Sequence, residues 1–132
     1  MIGLDTNVLI RYIVRDDPAQ AQAADGLIEG RCSRQTPGFV SHLVLVEIAW
    51  VLGQGYGYPR EALSEVIAVL LTTEELVIEQ PPVVRTALKA YVDTGADFAD
   101  CLIGEVHLGL GCDATYTFDK KATRLPTHRL LK

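Results

Sequence analysis

No apolar run in this 132-residue sequence approaches the roughly 20 residues a membrane-spanning helix needs. The opening Met1-Ile2-Gly3-Leu4-Asp5 lacks the basic segment and long apolar stretch of a secretory signal, so a cytoplasmic protein is the expectation. Cysteine is scarce. Cys32, Cys101 and Cys112 are odd in number and form no CxxC pair, which signals neither a disulfide framework nor a zinc site. Cys101 and Cys112 lie in apolar surroundings and read as small hydrophobes. The three histidines, His42, His107 and His128, are scattered and read as structural or surface residues. A basic surplus is missing too: 12 Lys and Arg against 17 Asp and Glu leave a net charge of −5, unlike the basic stripe of a general nucleic-acid binder. Repeats, low-complexity tracts and linkers are absent. What remains is a globular composition, 48% hydrophobic and 22% charged, which excludes wholesale disorder. One domain spanning residues 1–132 suits the length and needs no cross-link to fold.

Short Gly and Pro punctuation separates alternating strand-like and helix-like segments. Ile2-Gly3-Leu4 reads as a buried strand ending at Asp5-Thr6-Asn7, followed by an apolar helix over Val8 to Val14. Asp17-Pro18 is a cap-plus-first-residue pair that opens a second helix from Pro18 to about Glu29. Gly38-Phe39-Val40 is a brief strand, and Ser41 caps the most apolar helix, His42 to about Gln54. Helices over Arg60 to Leu71, Pro82 to Tyr91 and Phe98 to about Leu108 follow, with a strand at Leu76-Val77-Ile78. Ala114 to Phe118 alternates and is rich in β-branched and aromatic residues, a strand ending at Asp119. A short turn at Lys120 to Arg124 and an edge strand at Arg129-Leu130-Leu131 complete the chain. Alternation of this kind predicts an α/β fold with a short central parallel sheet flanked by helices on both faces. In such sheets ligands sit beyond the carboxyl ends of the strands, where Asp5 and Asp119 fall.

Several carboxylates are embedded in apolar sequence. Glu47, within Leu43-Val44-Leu45-Val46-Glu47-Ile48-Ala49-Trp50-Val51, belongs to a helix whose uniform apolarity predicts burial on every side. A lone charge there must be paired or coordinated, unless it bridges to an Arg or reaches solvent from the helix edge. Asp97 and Asp100 share a helix face, although an N-cap followed by a solvated first-turn Asp has the same spacing. Asp5 and Asp119 also suit cap or Asx-turn roles. Taken together, four or five carboxylates in one pocket repel each other and must hold protons or cations. Hard divalent ions, Mg²⁺ or Mn²⁺, suit an all-oxygen donor set. Without Asp5, Glu47, Asp97, Asp100 and Asp119, 12 acidic residues face 12 basic ones, so the surplus charge belongs to this set. Arg11 and Arg15 on the first helix, and Lys120, Lys121 and Arg124 after the last strand-terminal acid, make a cationic rim suited to a phosphodiester backbone.

Leu4-Asp5-Thr6-Asn7-Val8-Leu9, the mid-chain Glu47, Ala96-Asp97-Phe98-Ala99-Asp100-Cys101-Leu102-Ile103 and Thr115-Tyr116-Thr117-Phe118-Asp119-Lys120-Lys121 resemble, in order, the motifs of the PIN-domain ribonucleases. Within that family the sequence looks most like the bacterial VapC toxins of type II toxin–antitoxin pairs. The resemblance implies a PIN-like fold and an Mg²⁺- or Mn²⁺-dependent endoribonuclease. It implies Asp5, Glu47, Asp97, Asp100 and Asp119 as the catalytic acids, with Asp5, Asp100 and Asp119 on the metal. Thr6, Asn7 and Thr117 match the polar positions that border the site. A cognate VapB-like antitoxin, RNA as substrate, and a homodimer or dimer of heterodimers are further implications. Leu27, Ile28, Trp50 and Tyr56 are candidates for the apolar groove that would take the antitoxin. Gly104-Glu105 departs from the small Ala residues usual after this motif, which could loosen helix packing and adds a carboxylate without an assigned role. The alternatives are an Mg²⁺-dependent phosphatase or phosphotransferase of haloacid-dehalogenase or receiver type, or a catalytically silent PIN-like binding module.

Overall fold

Each element begins and ends on a local signal. In the computed structural model, which describes all 132 residues, the order is β1 (Ile2–Gly3), α1 (Thr6–Val14), α2 (Pro18–Asp25), β2 (Gly38–Val40), α3 (His42–Trp50), α4 (Arg60–Thr72), β3 (Leu76–Ile78), α5 (Pro81–Thr94), α6 (Phe98–Gly109), β4 (Thr115–Thr117) and β5 (His128–Leu130). The chain divides into two compact units, Met1–Glu79 and Gln80–Lys132. No helix is long and apolar enough to cross a membrane.

In the first unit, β1, β2 and β3 form a parallel three-stranded sheet with β2 in the centre. Ile2 pairs with Gly38, and Gly38 with Leu76. Gly38 is dictated by crowding, because a Cβ there would stand 2.7 Å from Leu4 Cδ1. Asp17 caps α2 by accepting from Gln20 N at 3.1 Å, with Pro18 as the first helical residue. Ser41 caps α3 through Val44 N at 3.2 Å, and Glu79 Oε1 takes the free His42 N–H at 2.9 Å. The sequence expects α2 and α3 to run to about Glu29 and Gln54. Both runs are helical that far, but their last turns widen into π-helix over Gly26–Arg31 and Val51–Gly55. Each of these segments carries two glycines, which weaken the tighter α-helical turn.

Helix α3 is not buried on every side. Leu45, Ile48 and Leu52 face the core, whereas Leu43 is 78% exposed, Trp50 is 68% exposed, and Glu47 between them is exposed as well. Uniformly apolar sequence conceals which face meets the core, so it could not show that Glu47 stands in solvent. Ile28, expected on an exposed groove, is fully buried because it continues the inward face of Ala21 and Ala24, while Leu27 stays half-buried.

In the second unit, α5 starts at Gln80, a left-handed residue (φ 43°) ahead of Pro81-Pro82, and ends at the left-handed Gly95. Helix α6 packs on α5, with Tyr91 and Phe98 meeting edge to face at 6.0 Å. Strands β4 and β5 pair in parallel, Thr115 with His128 and Thr117 with Leu130. A 3₁₀ turn at Ala122–Arg124 lies between them. The α/β class and the parallel pairing are as the alternation predicts. The hydrogen-bonded ladders are two, however, of three strands and of two, since strands only two or three residues long offer few pairing groups. Gly104 does not loosen α6. It is buried, and a Cβ there would collide with Thr127 and lie 2.9 Å from His128 Cε1, so glycine is what permits the close approach.

Candidate active site

Strand β1 delivers Asp5 to the start of α1. Asp5 occupies the N-cap position, yet its carboxylate makes no capping bond and is exposed. The bland role for a strand-terminal Asp is therefore not taken up here. Thr6 is buried, and its Oγ1 donates to Glu47 Oε1 at 2.7 Å. Glu47 is thus a solvated carboxylate oriented by a hydroxyl, rather than a lone buried charge or one half of a salt bridge. Asn7, one residue on, is exposed.

The first-helix cations are committed within the same unit. Arg11 donates from Nε to Gln20 Oε1 at 2.6 Å and from Nη1 to Asp16 and to the Tyr56 hydroxyl, both at 3.2 Å. The Tyr56 hydroxyl in turn donates to Asp16 at 2.7 Å, and this bond is the main reason that the Asp16 carboxyl sits below its ordinary pKa. Arg15 grips Asp25 with two parallel bonds of 2.8 and 2.6 Å, which hold the Asp25 carboxyl low.

In the second unit the acids crowd. Asp97 is the N-cap residue of α6 but does not cap it; its Oδ1 accepts from Lys121 Nζ at 3.2 Å. Asp119 Oδ1 accepts from Lys121 N at 2.9 Å, an Asx-turn, and Asp119 N donates to Thr117 Oγ1 at 3.0 Å. Lys121 therefore touches both acidic segments, while Thr117 braces the backbone beside Asp119. Asp100 is half-buried, and its carboxyl is pushed above the usual range, first by burial and then by the like charge of Asp97, with Asp119 adding to it. His128 and Lys121 pull in the opposite direction. His128 is buried on β5, with Nδ1 2.9 Å from Thr127 Oγ1. Nothing in its sequence neighbourhood marks it as an electrostatic partner of Asp100. Lys120 and Arg124 are exposed and carry no ion pair. Glu105 is half-buried and enters none of these contacts.

No three acidic, imidazole or thiol groups stand close enough together to form a ready metal cage. The first unit contributes Asp5 and the oriented Glu47. The second contributes Asp100, with Asp97 and Asp119 within coulombic range of it. Carboxylate oxygens dominate this set, which fits a hard divalent cation better than zinc.

The sequence is similar to known proteins over most of its length. The PIN domain family model matches residues 2–127. A VapC ribonuclease of Aquifex aeolicus (strain VF5) is 26% identical over 122 residues, which is 92% of this chain and 90% of that protein. Haloacid-dehalogenase and receiver readings are set aside by that match. Because it runs from the first strand to the segment before the last, taking in every acidic position described above, the chain belongs to the PIN domain family.

Proposed function

We propose that this protein is a metal-dependent endoribonuclease of the VapC type, hydrolysing RNA phosphodiesters in the cytoplasm and restrained by a small antitoxin. The observation that carries the reading is the crowding of Asp100 by Asp97 and Asp119 in a PIN-family chain, a concentration of negative charge that a cation relieves. By their match to the PIN motifs, Asp5, Asp100 and Asp119 are the candidate ligands of Mg²⁺ or Mn²⁺, with Glu47 and Asp97 as the further candidate acids. Such an ion supplies Lewis-acid polarisation of a phosphate oxygen and eases deprotonation of water. Thr6 fixes the Glu47 carboxylate through Oε1, and the carboxylate so oriented would accept the proton of an attacking water. In-line attack by that water leaves 5′-phosphate and 3′-hydroxyl ends. No step uses the ribose 2′-hydroxyl, so the choice of RNA rests on the name of the Aquifex relative.

Restraint by an antitoxin is supported by apolar surface on the first unit. A groove of about 320 Å³ is lined by Val8, Ala23, Ala24 and Leu27, with Asn7, Arg11 and Gln20 also on its wall. Trp50 adds an exposed aromatic elsewhere on this unit, and Tyr56 is partly exposed. A homodimer or a dimer of heterodimers is the assembly we expect.

The test is cleavage of labelled RNA by the full chain with Mn²⁺, with and without EDTA, alongside Asp5→Asn. Removing one carboxylate from a metal site should slow cleavage by about 100-fold or more. Cleavage that survives EDTA, or an Asp5→Asn protein as active as wild type, overturns the reading. A wild type that cleaves nothing under these conditions leaves a silent binding module instead.

A further inference from the structure

Strand β4 and the bend just after it carry two aromatic rings that the core does not use, Tyr116 on the strand and Phe118 on the bend. Tyr116 is 67% exposed and Phe118 78% exposed, whereas Thr115 and Thr117 between and before them are half-buried. Both rings stand in solvent, two residues apart in the chain. On the neighbouring strand Arg129 lies in register with Tyr116. Its guanidinium is tethered to the Pro126 and His128 carbonyls at 2.9 and 3.1 Å. Local charge runs against that of the whole protein. Residues 114–132 hold five of the twelve basic side chains (Lys120, Lys121, Arg124, Arg129 and Lys132) but only one of the seventeen acidic ones, Asp119. Phe118 immediately precedes that Asp119.

We propose that Tyr116 and Phe118 form a stacking platform for unpaired bases of a single-stranded RNA, with Arg129, Lys120 and Arg124 accompanying its backbone. The proposal rests on the nuclease reading above and names the part of the substrate that this face takes. Exposed rings flanked by cations match a strand whose bases are splayed out and whose phosphates are negative. A duplex hides its base faces and gains nothing from the rings. A second copy of this chain would bring the same basic excess against itself, so charge disfavours self-association through this face.

Binding of a short fluorescent single-stranded RNA is measured by anisotropy on the full chain in an Asp5→Asn background. Tyr116→Ala and Phe118→Ala should each weaken binding about ten-fold, in the range of a lost base–aromatic stack. Phe118→Trp and Tyr116→Phe should bind like the parent, whereas Phe118→Leu should not. In the otherwise wild-type enzyme, the alanine variants should raise KM for RNA with kcat within about two-fold. Hydrolysis of bis(p-nitrophenyl) phosphate, which has no base to stack, should be unchanged. Wild-type affinity in both alanine variants, or in Phe118→Leu, overturns the platform while leaving the nuclease reading intact. Alanine variants that turn a dimer into a monomer in sedimentation, at unchanged RNA affinity, overturn it in favour of an interface between copies. Failure of the wild type to bind RNA or hydrolyse either substrate overturns both.

Discussion

The two compact units handle charge in opposite ways. In Met1–Glu79 the candidate site groups other than Asp5 are already answered: Thr6 serves Glu47, Asp16 and Tyr56 serve Arg11, and Asp25 serves Arg15. In Gln80–Lys132 fewer of them are. Asp100 is crowded by Asp97 and Asp119 with Lys121 as partial relief, and Lys120 and Arg124 carry no ion pair. The five cations that look alike in the sequence are therefore of two kinds. Arg11 and Arg15, on α1 and at its C-cap, are engaged by partners within their own unit, and two of those after β4 carry no ion pair. A segment with unmet charge is where a ligand gains most, since no internal partner must first be displaced.

Substitution can break this contrast. The largest effect is expected at the acids. Asp100→Asn and Asp5→Asn should each reduce metal-dependent cleavage by about 100-fold or more. Only Asp100→Asn should also raise the melting temperature of the metal-free protein, because only that carboxylate is both desolvated and crowded. Equal melting shifts for the two variants would erase the difference between the units. Next comes Thr6→Val, which unties Glu47 and should lower kcat about ten-fold with little change in KM, as the loss of one hydrogen bond to a charged group implies. Thr6→Ser should restore the rate, and a Thr6→Val enzyme at full speed would show that Glu47 needs no orientation.

A smaller effect separates the cations. Lys120→Ala with Arg124→Ala should flatten the salt dependence of RNA binding by about one unit of slope per cation removed. Arg15→Ala should leave that slope alone and lower only the unfolding midpoint. Smallest is the acid response of the Arg15–Asp25 pair, exposed and screened. The Asp25 carboxyl is depressed when folded, so its contribution is complete above the ordinary carboxylate pKa of about 4 and is lost as pH falls through the lower folded value. Urea midpoints of wild type and Asp25→Asn should therefore converge in acid and part near neutrality, with wild type the more stable. Midpoints that stay parallel at every pH would show the pair to be idle.

Much of this architecture can be read from residue order, and the failures share a cause. Asp17-Pro18, Ser41 and the apolar triplets at 38–40 and 76–78 act through neighbours in the chain, so their elements fall where expected. The acids at the end of β1 and just beyond β4 are legible for the same reason. Whatever depends on which side of a helix meets the core is not. Glu47 looks buried because its neighbours are apolar, yet Leu43 and Trp50 share its exposed side. Ile28 looks available because the sequence alone does not show that Ala21 and Ala24 set the inward face of its helix. Arg11 and Arg15 look free because Asp16, Asp25 and Tyr56 become their partners only once the chain has folded. His128 carries no local sign of its nearness to Asp100.

One absent side chain governs more than packing. Gly104 lies one helical turn beyond Asp100 on α6, and the bare backbone at 104 lets the helix settle against Thr127 and His128. A methyl group would push the final strand away and carry the imidazole with it. The distance between a buried ring and an electrostatically stressed carboxylate is thereby set by a hydrogen atom, and any lineage that replaced this glycine would retune the acid next door without touching it.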